Sequence, residues 1–139
     1  MSAFVEMKHV YKRYTMGEVT INASNDINFS LEKGVFAVIL GASGAGKTTV
    51  LNMLGGMDTC NEGEILVDGR DIAKYNAKAL TQYRRYDIGF VFQFYNLVPN
   101  LTARENVELA AQICRNPMDA GEALRLVGLE DRADHFPSQ

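Results

Sequence analysis

A chain of 139 residues with 47% hydrophobic and 22% charged side chains has the composition of one folded domain or part of one, which excludes a disordered or collagen-like chain. Its net charge of −3 leaves no global positive field to draw it to nucleic acid or anionic lipid, so no nucleic-acid partner is expected. The longest apolar run, residues 35–40, falls far short of the ~20 residues of a membrane-crossing helix, and the N-terminal stretch lacks the charged-then-apolar layout of a signal peptide.

Residues 4–31 carry short alternating patterns. Val5 and Met7 alternate with Glu6 and Lys8, and Ile27, Phe29 and Leu31 with Asn28 and Ser30, which predicts antiparallel strands. Glu32-Lys33-Gly34 turns into residues 35–40, whose continuous apolar character predicts a central parallel strand covered on both faces. After a glycine-rich loop, Val50, Met53, Leu54 and Met57 fall at i, i+3, i+4 and i+7 of a helix that begins near Gly46. Asn61-Glu62-Gly63 turns into a strand over 64–68, and Asp68-Gly69 turns out of it, with Asp71 as a turn or cap residue. A helix follows over 77–86, with Arg84 and Arg85 at its negative end, and then a second buried strand over 87–92. Thr102-Ala103-Arg104-Glu105 has capping-box spacing and opens a helix with Ala103, Val107, Ala110, Ala111 and Cys114 on one face. Asn116-Pro117 reads as the N-cap and N1 pair of a last helix that stops at Gly128. Cys60 and Cys114 lack CxxC spacing and a nearby histidine cluster, so they read as reduced, buried thiols. The isolated His9 and His135 suit strand-surface and helix-end positions.

The chemistry sits in Gly41-Ala42-Ser43-Gly44-Ala45-Gly46-Lys47-Thr48, which matches the phosphate-binding pattern G-x-x-x-x-G-K-[ST]. Glycines let the backbone curl with its N–H groups inward and keep Cβ atoms away from a polyphosphate. Lys47 can reach the β- and γ-phosphates, Thr48 can offer a hydroxyl to Mg²⁺, and the helix that starts there presents its positive end to the anion.

The segment 41–49, with Thr49 as its last residue, resembles the Walker A sequence of ATP-binding cassette (ABC) ATPases, and Phe90-Val91-Phe92-Gln93-Phe94-Tyr95-Asn96-Leu97 resembles their Q-loop. Gly89-Phe90-Val91-Phe92-Gln93, Asn96-Leu97-Val98-Pro99 and residues 101–107 are similar to the lipoprotein-releasing, macrolide-exporter and FtsE-like group, which includes antimicrobial-peptide export systems. Tyr14 lies where that family's A-loop aromatic stacks on adenine.

The resemblance implies an α/β fold: a RecA-like P-loop NTPase core, an N-terminal antiparallel β-subdomain and the start of an α-helical subdomain. Residues 1–139 would be the N-terminal part of one ABC ATPase domain, with 1–92 as β-subdomain and P-loop core and 93–139 as Q-loop and first α-subdomain helices. It further implies ATP and Mg²⁺ as cofactors. Tyr14 would stack the base, residues 41–48 with Lys47 would hold phosphates, Thr49 would assist at the α-phosphate, and Thr48 with Gln93 would hold the metal. Lys47 and Gln93 are the implied catalytic residues. The implied partners are a membrane permease and a second ATP-binding subunit, and the implied location is cytoplasmic, on the inner membrane face through that permease.

The sequence holds no Walker B Asp-Glu, Leu-Ser-Gly-Gly-Gln signature, D-loop or switch histidine. Ile65-Leu66-Val67-Asp68 is followed by Gly69 rather than Glu and reads as a turn, and Leu54-Gly55-Gly56-Met57 reads as a helix C-cap with close packing. The sequence therefore reads as a domain cut before its signature motif: inactive in hydrolysis by itself, with unpaired strand edges and bare apolar surface that favour self-association. The alternatives are a soluble ABC-type ATPase without a permease, or a non-catalytic nucleotide-binding regulatory module.

Overall fold

The computed structural model describes residues 3–44, 46–94 and 96–139, in two compact units that divide between Gly89 and Phe90. In the first unit, β1 (Val5–Met16) and β2 (Val19–Leu31) form the antiparallel hairpin that their alternation predicts. β1 also pairs antiparallel with β3 (Glu62–Val67), which pairs with the short β4 (Arg70–Asp71), so the sheet order is β2-β1-β3-β4. Met7 stands opposite Phe29 on one side and Ile65 on the other. This register places Met7, Val10, Ile65 and Val67 in one buried cluster.

The helix α1 (Lys47–Leu54) adds Val50 and Met53 to that cluster, and α2 (Ala77–Tyr86) adds Tyr83. Each such side chain contributes roughly 1.5–3 kcal/mol by leaving water. Local chemistry sets the boundaries: the Asn76 side chain accepts from the Ala79 amide (2.8 Å) to start α2. Asp71 acts as a cap, its Oδ1 accepting from the amides of Ala73 and Ile65, both at 3.1 Å. β3 starts two residues earlier than the turn pattern suggests.

Two expected strands do not form. Residues 35–40 pair with no described strand, and Phe36 and Leu40 are 93% and 87% exposed. In 87–92, Asp87 closes α2, and the remainder belongs to no helix or strand, with Val91 95% exposed. A buried strand is a property of the neighbours that hydrogen-bond and cover it, and the described sheet is wholly antiparallel and lies elsewhere.

In the second unit, α3 (Ala103–Ala111) opens with the predicted capping box. The Glu105 amide donates to the Thr102 hydroxyl (3.2 Å), and the Thr102 amide donates to the Glu105 carboxylate (3.0 Å). α4 (Ala120–Leu126) starts later than Asn116-Pro117 would place it, because it is the Asp119 carboxylate that accepts from a free first-turn amide, that of Glu122 (3.1 Å). No residue of α3 is fully buried. Its Val107 and Ala110 instead line a cavity of about 500 Å³ with Leu124, Leu129 and Phe136. Cys60 is half-buried and Cys114 exposed, so the expectation of two buried thiols fails at Cys114, which follows the end of α3.

Candidate functional site

The loop before α1 is built around backbone conformations that only glycine adopts without strain: φ is +80° at Gly44 and +92° at Gly46. At Gly46 a second constraint applies, since a Cβ there would lie 2.3 Å from the carbonyl oxygen of Ala23 in β2. The loop is thereby seated against the hairpin. Gly41, Ala42, Ser43 and Gly44 are exposed to solvent, Lys47, Thr48 and Thr49 form the first turn of α1, and Ala45 and Tyr95 lie outside the described residues.

α1 begins at Gly46 with no side-chain cap. The other described α-helices each carry one, from Asn76, Thr102 and Asp119. Among the described residues no side chain caps the first-turn amides of α1, and a helix start of this kind suits an anion. The Lys47 ammonium folds back over the loop and donates to the carbonyl oxygens of Gly41 and Ala42, the latter at 3.2 Å. An uncapped helix start and an ammonium lying over one exposed glycine loop suit a polyphosphate, so the residues present fit that group.

The far end of α1 is also held. Tyr83 Oη donates to the Leu54 carbonyl (2.6 Å) and Arg84 Nη1 to the Gly56 carbonyl (2.6 Å), which places a cation at the negative end of the helix. Gly56 has φ +73°, and a Cβ there would meet the Tyr83 ring at 2.8 Å, which agrees with the close packing expected of this C-cap.

Tyr14 lies on β1, 39% exposed, with its phenol donating to Asp58 Oδ2 at 2.5 Å and within reach of the Thr49 side chain. The structure thus brings Tyr14 beside the first turn of α1. Gln93 is exposed in the second unit, outside any helix or strand. Sequence reasoning missed Asp58 and Lys12: the Lys12 Nζ donates to Asp58 Oδ1 at 2.9 Å, and its side chain is only 10% exposed. The one sequence signal for the pair is that Lys12 and Tyr14 alternate on the same strand; Asp58 lies beyond a helix end and carries no motif. Burial pushes the Asp58 carboxyl up, but hydrogen bonds from Tyr14, Lys12 and the Thr59 amide outweigh it and hold its pKa below the ordinary aspartate value. The hydrogen bond to Asp58 is the main cause that raises the Tyr14 phenol.

Among the described residues no helix is long and apolar enough to cross a membrane. The profile of the ABC transporter family matches residues 24–139. An uncharacterized ABC transporter ATP-binding protein of Thermotoga maritima is 41% identical across 100% of this chain, which covers 62% of that protein. The lipoprotein-releasing system ATP-binding protein LolD of Shewanella frigidimarina is 37% identical over 99% of this chain and 59% of its own length. The macrolide export ATP-binding/permease protein MacB of Shigella flexneri is 38% identical over 100% of this chain and 22% of its own length. Among solved structures, the ATP-binding cassette MJ0796, in a dimeric post-hydrolysis state bound to ADP and Pi, superimposes with a TM-score of 0.88 at 42% identity, over 97% of this chain and 62% of that one. The chain therefore spans about three-fifths of the length of the Thermotoga and LolD relatives. With its glycine loop, uncapped helix and α/β fold, this chain belongs to the ABC transporter family and is part of an ATP-binding cassette.

Proposed function

We propose that this chain is the nucleotide-binding portion of an ABC transporter subunit, which takes up Mg·ATP through residues 41–48 to power a membrane permease partner. The observation that carries the reading is the one uncapped helix start among the described α-helices, set behind a glycine loop with an ammonium poised on it. Loop amides and Lys47 hold the phosphates, with the Lys47 ammonium moving from two neutral carbonyls to a polyanion. Thr49 would assist at the α-phosphate, Tyr14 would stack the adenine, and Thr48 would offer its hydroxyl to Mg²⁺. The kinship to LolD and MacB supports a permease as partner, with the chain on the cytoplasmic membrane face through that contact. A second cassette would complete the site, as the dimeric state of MJ0796 suggests.

The 139 residues contain neither a Walker B Asp-Glu nor a signature motif, so the chain alone binds nucleotide without turning it over. Isothermal calorimetry tests the reading. The chain takes up Mg·ATP and Mg·ADP, and Lys47→Ala weakens both by roughly 10- to 100-fold through loss of a charge-assisted contact. Folded protein that takes up neither nucleotide refutes the assignment. Mg²⁺-dependent turnover that Lys47→Ala abolishes would refute the claim of inactivity.

A further inference from the structure

Beside the phosphate loop stands a side-chain cluster that none of the motifs above names. Asp58 Oδ2 accepts from the Tyr14 phenol at 2.5 Å, while Oδ1 accepts from Lys12 Nζ at 2.9 Å and from the Thr59 amide at 2.8 Å. The same Lys12 ammonium lies 5.0 Å from the centroid of the Tyr14 ring, against its face. We propose that Asp58 is a positioning residue for base recognition: with Lys12 it fixes the Tyr14 ring in the orientation that receives a purine base, at a distance from the phosphate loop set by α1. The proposal rests on the reading of Tyr14 and residues 41–48 as one nucleotide site.

Two features separate this role from general support of the fold. First, the backbone of β1 at this point is tied down without Asp58. The Arg13 amide donates to Asn61 Oδ1 at 2.6 Å, the Asn61 amide donates to the Tyr11 carbonyl at 2.8 Å, and Arg13 pairs with Glu62 at 2.6 Å. What Asp58 adds is the rotamer of an exposed aromatic side chain, whose freedom a ligand would otherwise have to remove on binding. Second, Asp58 is attached to the end of α1, its amide and that of Met57 donating to the Asn52 carbonyl at 3.2 and 2.8 Å. The helix whose first turn faces the phosphates thus carries, just past its last turn, the carboxylate that orients the ring. The carboxyl stays ionised and the phenol protonated over the physiological range, which keeps one charged acceptor facing two side-chain donors and one amide.

Calorimetric titration of the chain with Mg·ATP and with Mg·tripolyphosphate, which has the phosphate chain but no base, tests the assignment. Asp58→Ala weakens Mg·ATP about fivefold to tenfold and leaves Mg·tripolyphosphate unchanged. Tyr14→Phe, which keeps the stacking face and loses the tether, gives a similar loss, and the double variant is no worse than either single one. Asp58→Asn, with a neutral acceptor of the same size, restores most of the loss and serves if the alanine variant folds poorly. Equal weakening of both ligands, unchanged ATP affinity, or additive losses would each overturn the proposal. A parent chain that binds neither ligand removes the phosphate-loop reading and this proposal with it. A parent chain that binds tripolyphosphate as tightly as ATP removes only the role of Tyr14 and Asp58.

Discussion

At Gly46 the backbone and its neighbour both forbid a side chain, since φ is +92° and a methyl group would sit 2.3 Å from the Ala23 carbonyl oxygen. Gly46→Ala should lower the free energy of unfolding by about 2 kcal/mol or more, read as a shift in the urea midpoint, and should weaken nucleotide uptake as the loop lifts from β2. The glycine turn and the helix after it were readable from sequence because their constraint is local: the spacing of Gly44 and Gly46 marks where the backbone takes positive φ before α1 begins. The Lys12–Asp58–Tyr14 cluster was not, because its members meet only after the segment that follows α1 has come against β1. Burial, helped by the charges of Asp87 and Tyr75, pushes the Tyr83 phenol up to about 12. With a folded value above the unfolded 10.0, its contribution is complete below pH 10 and is lost as the pH rises toward 12. Tyr83→Phe should therefore flatten the alkaline limb of a stability-against-pH curve, and an unaltered limb would show that another group governs it.

Among the elements, those whose signals lie within a few residues were legible and those that depend on distant cover were not. α2 begins and ends where its pattern predicts, and the capping box of α3 is formed by Thr102 and Glu105 as spaced. Thr102→Ala should cost about 1 kcal/mol, measured by chemical denaturation. The hydrogen bonds that Glu105 accepts from Thr102 hold its carboxyl below the usual glutamate value, so the contribution of the box is present above pH 4.5 and fades as the pH falls through that lowered value. α4 illustrates a rival signal: Asn116-Pro117 and Asp119 both resemble helix starts, and Asp119 supplies the oxygen that reaches the Glu122 amide. Residues 35–40 and 87–92 illustrate the limit of composition, which reports that a segment avoids water without naming the strands that would cover it.

Over the whole molecule, the exposure of Phe36, Leu40, Val91 and Phe94 is a solubility liability. Light scattering should reveal concentration-dependent self-association, and replacing Phe36 and Leu40 by serine should reduce it without shifting the melting of the first unit; a monodisperse parent at high concentration would contradict this. The bonds from Tyr83 and Arg84 to the carbonyls at the end of α1 have a dynamic consequence. A helix of this length normally frays at both ends, but here side chains tie the far end and none caps the loop end. Amide deuterium uptake along 47–54 should thus be lopsided, rapid near Thr48 and slow near Leu54, and saturating nucleotide should erase the gradient.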